Sequence, residues 1–132
     1  MIDAEDARWV ALDNASEDWC GLYEIVWAYR TTFPAASDAD RIAAAMESVL
    51  RLLKDGLLEM SFYHAWNSKT CEPISGVDAV RVVAVADSWN DPSVSSQGSY
   101  YAVSTTDRGN KVYFAGRSAV PRGETKRRPG SS

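Results

Sequence analysis

The sequence predicts an α+β domain that is mainly helical and contains a small two-stranded antiparallel sheet. Apolar residues recur every three or four positions in several stretches, which is typical of amphipathic helices. Between these stretches, residues 57–66 alternate with a period of two, which is typical of a strand. The length of 132 residues is enough for one such domain with its own core.

Four predicted helix starts share one pattern, a Ser or Asn followed three residues later by an acidic residue. The first side chain can accept a hydrogen bond from a free backbone N–H, and the acid lies near the positive end of the helix dipole. The pairs are Asn14/Glu17, Ser37/Asp40, Ser75/Asp78 and Ser104/Asp107. With the apolar spacing they predict helices at about 17–30, 38–54, 77–87 and 105–115, after a short helix at 4–12.

Gly56 is predicted to end the second of these helices in the left-handed conformation that glycine adopts at low cost. The strand at 57–66 follows directly, and we expect it to pair antiparallel with a second strand at 100–104. Residues 77–87 are also rich enough in β-branched residues for a strand, although Ser75 and the apolar spacing favour a helix.

The charge divides the chain into two parts. Residues 1–116, the predicted single domain, have 9 basic and 17 acidic side chains and a net charge of −8. Residues 117–132, called the basic segment below, have a net charge of +4 and are predicted to be disordered because they are rich in Pro, Gly and Ser. Their basic side chains are Arg117, Arg122, Lys126, Arg127 and Arg128.

The first residues show neither the basic nor the apolar region of a secretory signal, and no stretch approaches the length of a membrane span. We therefore predict a cytoplasmic location without a membrane partner. In that reducing compartment Cys20 and Cys71 are expected to be free, buried or half-buried thiols.

Two junctions in the sequence resemble those of the winged-helix family. Residues 49–59, VLRLLKDGLLE, are similar to that family's leucine-rich helix followed by an acidic residue, Gly, Leu and a strand. Residues 101–109, YAVSTTDRG, are similar to its exit from the second wing strand. The resemblance implies that 57–66 and 100–104 form the wing, with an unusually long connection from Asn67 to Gly98.

The resemblance also implies a DNA-recognition helix, for which this sequence is poorly suited. DNA binders of the family usually place two helices before the Gly junction, and the second presents basic side chains to the major groove. Between Pro34 and Gly56 there is space for one helix, and its solvent face is led by Asp38, Asp40 and Glu47. Because phosphate attraction needs a positive surface, we predict a degenerate or missing recognition helix.

Residues for catalysis, cofactor binding or metal binding are not predicted. The sequence has no phosphate-binding loop, dinucleotide fingerprint, zinc-protease motif, Cys-x-x-Cys or nucleophile elbow. The single histidine, His64, lies in the predicted strand and is expected to be a partly buried aromatic-like residue rather than a base or ligand. These absences favour a non-enzymatic protein.

Exposed aromatic residues with acidic neighbours are the strongest functional signal. Trp27 falls outside the main apolar stripe of its helix, and Trp89 lies in a predicted loop between Asp87 and Asp91. An exposed Trp with an acidic rim would bind a protein partner or a second copy of the chain. The alternative for Trp89, held equally, is that it folds back to cover the sheet.

Two functions follow from the sequence. The first is a protein-interaction or regulatory module with a winged-helix-like fold. The alternative is a DNA-binding transcriptional regulator that contacts DNA through the wing and the basic segment, and binds nucleic acid only weakly.

Overall fold

A computed structural model describes residues 2–94 and 98–119. Its α-helices are α1 (Ala4–Glu17), α2 (Leu22–Thr32), α3 (Asp38–Lys54), α4 (Gly76–Ala84) and α5 (Asp107–Ala119). Its strands are β1 (Cys20–Gly21), β2 (Leu58–Tyr63), β3 (Glu72–Ile74) and β4 (Tyr100–Thr105). Two short 3-10 helices lie between α4 and β4, at Ala86–Trp89 and Pro92–Val94.

The sheet has the strand order β1-β4-β2-β3, and every neighbouring pair is antiparallel. The predicted pairing of the two longer strands is confirmed, with Leu58 opposite Thr105 and Tyr63 opposite Tyr100. The prediction of a two-stranded sheet is wrong, because β1 and β3 flank this pair. Strands of two and three residues are too short to show an alternating pattern, and the sequence therefore gave no signal for them.

The predicted helix start at Asn14/Glu17 is also wrong. Helix α1 begins at the cap Asp3 and runs through Asn14, whose side-chain amide donates to the Val10 carbonyl at 2.8 Å. Helix α2 starts later, where the Gly21 N–H donates to the Glu24 carboxylate at 2.7 Å. The backbone before Gly21 cannot be helical because it pairs with β4.

The other three starts agree with the structure to different degrees. The Ser37 hydroxyl accepts from the Asp40 N–H at 3.1 Å, and the Ser75 hydroxyl accepts from the Asp78 N–H at 3.2 Å. Residues 77–87 therefore begin as a helix, which ends at Ala84. The cap of α5 is Thr106 rather than the predicted Ser104, which belongs to β4.

A short turn joins α3, β2 and the start of α5. Gly56 has a φ of +76°, as predicted, and the Leu57 carbonyl accepts from the Thr106 N–H at 3.1 Å. The Thr106 hydroxyl donates to the Gly56 carbonyl at 2.7 Å. Gly109 completes the contact, because an added Cβ there would lie 2.0 Å from the Leu57 oxygen. The end of α3, the start of β2 and the start of α5 thus meet at the peptide groups of Gly56 and Leu57.

The core lies between the sheet and the helices, with α3 at its centre. Helix α3 contacts α1, α2 and α4, and α4 also contacts β2. The ring of Tyr29 on α2 is fully buried, and its hydroxyl donates to the Ala7 carbonyl of α1 at 2.5 Å. The long connection after β2 is therefore not a free wing, since its helix α4 forms one wall of the core.

At its C-terminal end, α5 packs on α1, where the rings of Trp9 and Tyr113 stack with centroids 5.1 Å apart. The backbone of 117–119 continues α5, beyond the predicted domain boundary at 116. The rest of the basic segment lies outside the described residues. Within the part of the chain that is described, no helix is long and apolar enough to span a membrane.

Replacing Gly56 with Ala should lower the free energy of unfolding by about 1 kcal/mol or more, because Ala pays a steric cost at positive φ. Gly76 is the matched control: it starts α4, has open space around it and is not at positive φ. Gly76→Ala should leave stability unchanged or raise it by up to about 1 kcal/mol. Urea denaturation measures both. Equal effects of the two substitutions would contradict the role of Gly56.

Candidate functional site

Trp89 is a core residue and not an exposed anchor. Its side chain is 6% exposed, and its indole N–H donates to the Val83 carbonyl of α4 at 3.1 Å. The 3-10 helix that contains it contacts α2, α4 and β4. Trp89 is therefore not the exposed residue on which the prediction of partner binding depended, and the alternative of a ring that folds back against the wing agrees with its burial beside β4. Its burial fixes the position of the residues on either side.

Those neighbours, Asp87 and Asp91, line a groove of about 190 Å³ at one end of the sheet. The groove lies between the segment around Trp89 and the ends of β2 and β4. We call it the acidic groove, and its lining residues are Phe62, Asp87, Ser88, Asn90, Asp91, Ser99, Tyr100 and Tyr101. The Asp91 carboxylate also accepts from the Ser93 N–H at 2.8 Å, which fixes its orientation. The two predicted acids thus line the same groove as three aromatic residues.

The rings of the groove come from paired positions in the sheet. Tyr63 and Tyr100 are opposite each other and stack with centroids 5.1 Å apart and planes inclined by 4°. Phe62 and Tyr101 are the next pair, with centroids 4.9 Å apart. Because successive side chains of a strand point to opposite faces, the two pairs place aromatic rings on both faces of the sheet at this end.

A continuous aromatic row leads from the groove onto α2. Tyr100 of the sheet and Tyr23 of the helix make an edge-to-face contact, with ring centroids 5.6 Å apart. Tyr23 makes a second edge-to-face contact with Trp27, with centroids 4.9 Å apart. Tyr23 and Trp27 are four residues apart and therefore share a helix face. At the other end Trp19 meets Tyr63 at 6.5 Å. The aromatic row is Trp19, Tyr63, Tyr100, Tyr23 and Trp27.

Trp27 is the most accessible member of the row, with 46% of its side chain exposed. Of the four predicted partner-binding residues, the structure thus brings Asp87 and Asp91 into the groove and Trp27 to the end of the row. Sequence reasoning missed the four ring residues of β2 and β4. Two aromatic dipeptides, Phe62-Tyr63 and Tyr100-Tyr101, lie in the predicted pair of strands and were the available signal, but only the register shows that they meet.

The electrostatic surroundings of the row are negative. Burial raises the pKa of Tyr23 to about 12, and Glu24 and Asp91 add to the shift. Burial also raises the pKa of Tyr100, with Glu24 as the next cause. Every ionisable neighbour that shifts these two pKa values raises them, because each is acidic or becomes negative on ionisation. A negative potential over aromatic faces favours cations.

His64, Cys20 and Cys71 are not among the residues that line the groove. His64 lies just beyond β2 with its side chain 58% exposed, and its Nε2 is 2.9 Å from a Glu72 carboxylate oxygen, so the prediction of a partly buried residue is wrong. The two cysteines are free, as expected, and burial raises the pKa of Cys20 to about 12, which keeps it a thiol. Within the described ranges, no group of three or more His, Cys, Asp or Glu side chains could hold a metal ion.

Helix α3 is the helix immediately before the Gly junction, and its two arginines have protein partners. The Arg41 guanidinium lies 2.8 Å from the Asp38 carboxylate and also donates to the Pro34 carbonyl at 2.8 Å. Arg51 is 3.4 Å from Asp55. These contacts engage both arginines of this helix with protein carboxylates, so that they are not free to pair with phosphate groups.

Comparison with family models, curated proteins and solved structures gave no match to this chain.

Trp89→Ala should lower the free energy of unfolding by roughly 3–5 kcal/mol, because it removes a buried ring and leaves a cavity between α2, α4 and β4. Trp27→Ala is the matched control on the surface and should cost less than about 1 kcal/mol. Urea denaturation with far-ultraviolet circular dichroism measures both. A small effect at Trp89 would contradict its placement in the core.

The raised tyrosine pKa values predict lower stability in alkali. Burial raises the pKa of Tyr23 and Tyr63 to about 12, whereas an unfolded tyrosine titrates near 10. Above pH 10 the unfolded chain therefore releases protons that the folded chain retains, so stability is full below pH 10 and falls between about 10 and 12. Ultraviolet absorbance of tyrosinate and urea denaturation across this range measure both effects. Tyr23→Phe should make the loss less steep, and native tyrosines that all titrate near 10 would refute the expectation.

Proposed function

We propose that this protein is a non-enzymatic protein-interaction or regulatory module with a winged-helix-like fold. Its interaction surface is the acidic groove together with the aromatic row. The observation that supports this most strongly is that Asp87 and Asp91 line a groove together with three aromatic residues. Tyr and Trp contribute binding energy at interfaces more often than most residues, and carboxylates give such a surface a preference for basic partners. The partner is another protein or a second copy of this chain.

The winged-helix part of the proposal rests on the order of elements and on the two junctions. Helices α2 and α3 precede a Gly turn, β2 follows, and the antiparallel β4 leads into α5 through Thr106. The positive φ of Gly56 and the Thr106 cap are the local features on which the resemblance depends. The helix α4 within the connection between β2 and β4 is the main departure from a simple wing.

The alternative function is a DNA-binding regulator. The net charge of +4 in the basic segment favours this function, and the net charge of −8 in residues 1–116 opposes it. The ion pairs of Arg41 and Arg51 also oppose DNA reading through α3. Any nucleic-acid contact would therefore come from Arg117, Arg122, Lys126, Arg127 and Arg128 and would depend on counterion release rather than on sequence.

Fluorescence anisotropy with labelled duplex DNA of several sequences tests the choice between these functions. The full chain should bind with a Kd of about 10⁻⁶ M or weaker at physiological salt, without preference for one duplex. Changing the five basic residues of the basic segment to Gln in the full chain should abolish this binding. The groove variant Asp87→Asn/Asp91→Asn should not weaken it, since the removed charges repel phosphate.

Tight, salt-resistant binding of one duplex by the Gln variant would overturn the proposed function in favour of the DNA-binding alternative. The circular dichroism spectrum of each variant serves as the control for folding. Because the substitutions lie outside α1–α4 and the sheet, we expect all variants to retain the wild-type spectrum.

A further inference from the structure

We propose that the basic segment of the chain docks into the acidic groove of the same molecule. This inference rests on the proposed function, because it takes the groove as an interaction surface and names its occupant. Docking would pair the carboxylates of the groove with the basic side chains of the segment.

The acidic groove and the basic segment have complementary chemistry. The groove is lined by the acidic residues Asp87 and Asp91 and by the aromatic residues Phe62, Tyr100 and Tyr101. A guanidinium group can pair with a carboxylate through two hydrogen bonds and can stack on an aromatic face. The basic segment supplies three arginines after α5, at 122, 127 and 128.

Five arginines in the described part of the chain pair with carboxylates outside the groove. Arg8 pairs with Glu47 and Arg30 with Asp38, while Arg81 pairs with Asp78. Among the described residues, no Lys or Arg contributes to the raised pKa of Tyr23 or Tyr100. The lining of the groove includes Asp87 and Asp91 and no Lys or Arg among the described residues, whereas the basic segment has an excess of four positive charges.

The length of the chain beyond α5 is comparable to its distance from the groove. The straight line from Ala119 to Tyr100 cannot exceed about 40 Å, even if β4 and α5 were collinear, given rises of about 3.4 Å and 1.5 Å per residue. The true distance is shorter, because α5 packs on α1, and α1 also contacts β4. Residues 122–128 lie roughly 10–32 Å of contour length beyond Ala119. An arginine adds its own long side chain to this reach.

Zero-length cross-linking with a carbodiimide tests the proposal in the full chain. The reagent activates a carboxylate, the Lys126 amine attacks it, and an amide forms while the carbodiimide becomes a urea. Lys126 is the single lysine of the basic segment. After digestion, mass spectrometry should show Lys126 joined to Asp87 or Asp91 more than to any other carboxylate. In an equal mixture of unlabelled and ¹⁵N-labelled protein, both ends of the cross-link should have the same isotope.

The key variant keeps both reacting groups and removes the docking charges. Arg122→Gln/Arg127→Gln/Arg128→Gln should lower the yield of this cross-link at least about five-fold, since the charge-assisted contacts of three arginines are lost. Arg81→Gln is the matched control: it removes an exposed arginine of α4 and should leave the yield unchanged. Circular dichroism checks that both variants are folded.

Three results would overturn the proposal. The first is a yield that does not fall in the triple variant. The second is Lys126 joined mainly to Glu5 or Asp6, which a segment without preference would meet because Gly116 of α5 lies against Trp9 of α1. The third is mixed isotopes at the two ends, which would place the segment on another molecule. None of these results depends on DNA binding. The docking proposal can therefore fail while the proposed function, which the anisotropy experiment tests, still stands.

Discussion

The two peptide groups of Gly56 and Leu57 are the constraint on which the arrangement of this protein depends. Gly56 reverses the chain at a φ that other residues adopt only at a cost, and both carbonyls accept hydrogen bonds from Thr106. The end of α3, the start of β2 and the start of α5 are thereby held together. Since β4 ends immediately before Thr106, the same contact sets the register of β2 against β4.

That register decides which side chains meet at the far end of the sheet. A shift of one residue would move every side chain of β2 to the opposite face and separate the stacked rings of Tyr63 and Tyr100. Trp89 does not line the acidic groove, but it anchors the segment that does, because its indole hydrogen bond to Val83 ties that segment to α4. The shape of the acidic groove thus depends on two distant contacts, one at each end of the sheet.

The sequence predicted the features that local chemistry determines. The caps at Ser37 and Ser75, the positive φ of Gly56 and the pairing of the two longer strands were all visible in residue spacing. The predictions from the sequence were wrong where a tertiary contact determines the local structure or the burial of a residue. Strand β1 interrupts what the apolar spacing indicated as one helix, and Trp89 is buried because α4 lies behind it, although its neighbours in sequence are polar and acidic. The groove depends on which strands pair and on what covers the core, neither of which is a local property.

The central claim is that the connection between β2 and β4 is part of the core, so that the acidic groove has a fixed wall. Hydrogen exchange of the Trp89 indole N–H, followed by nuclear magnetic resonance, tests this most directly. The account predicts that this proton exchanges as slowly as the paired amides of β2 and β4, because it is released only by global unfolding. Exchange as fast as that of the exposed Trp66 indole would contradict the account and make the connection a mobile wing.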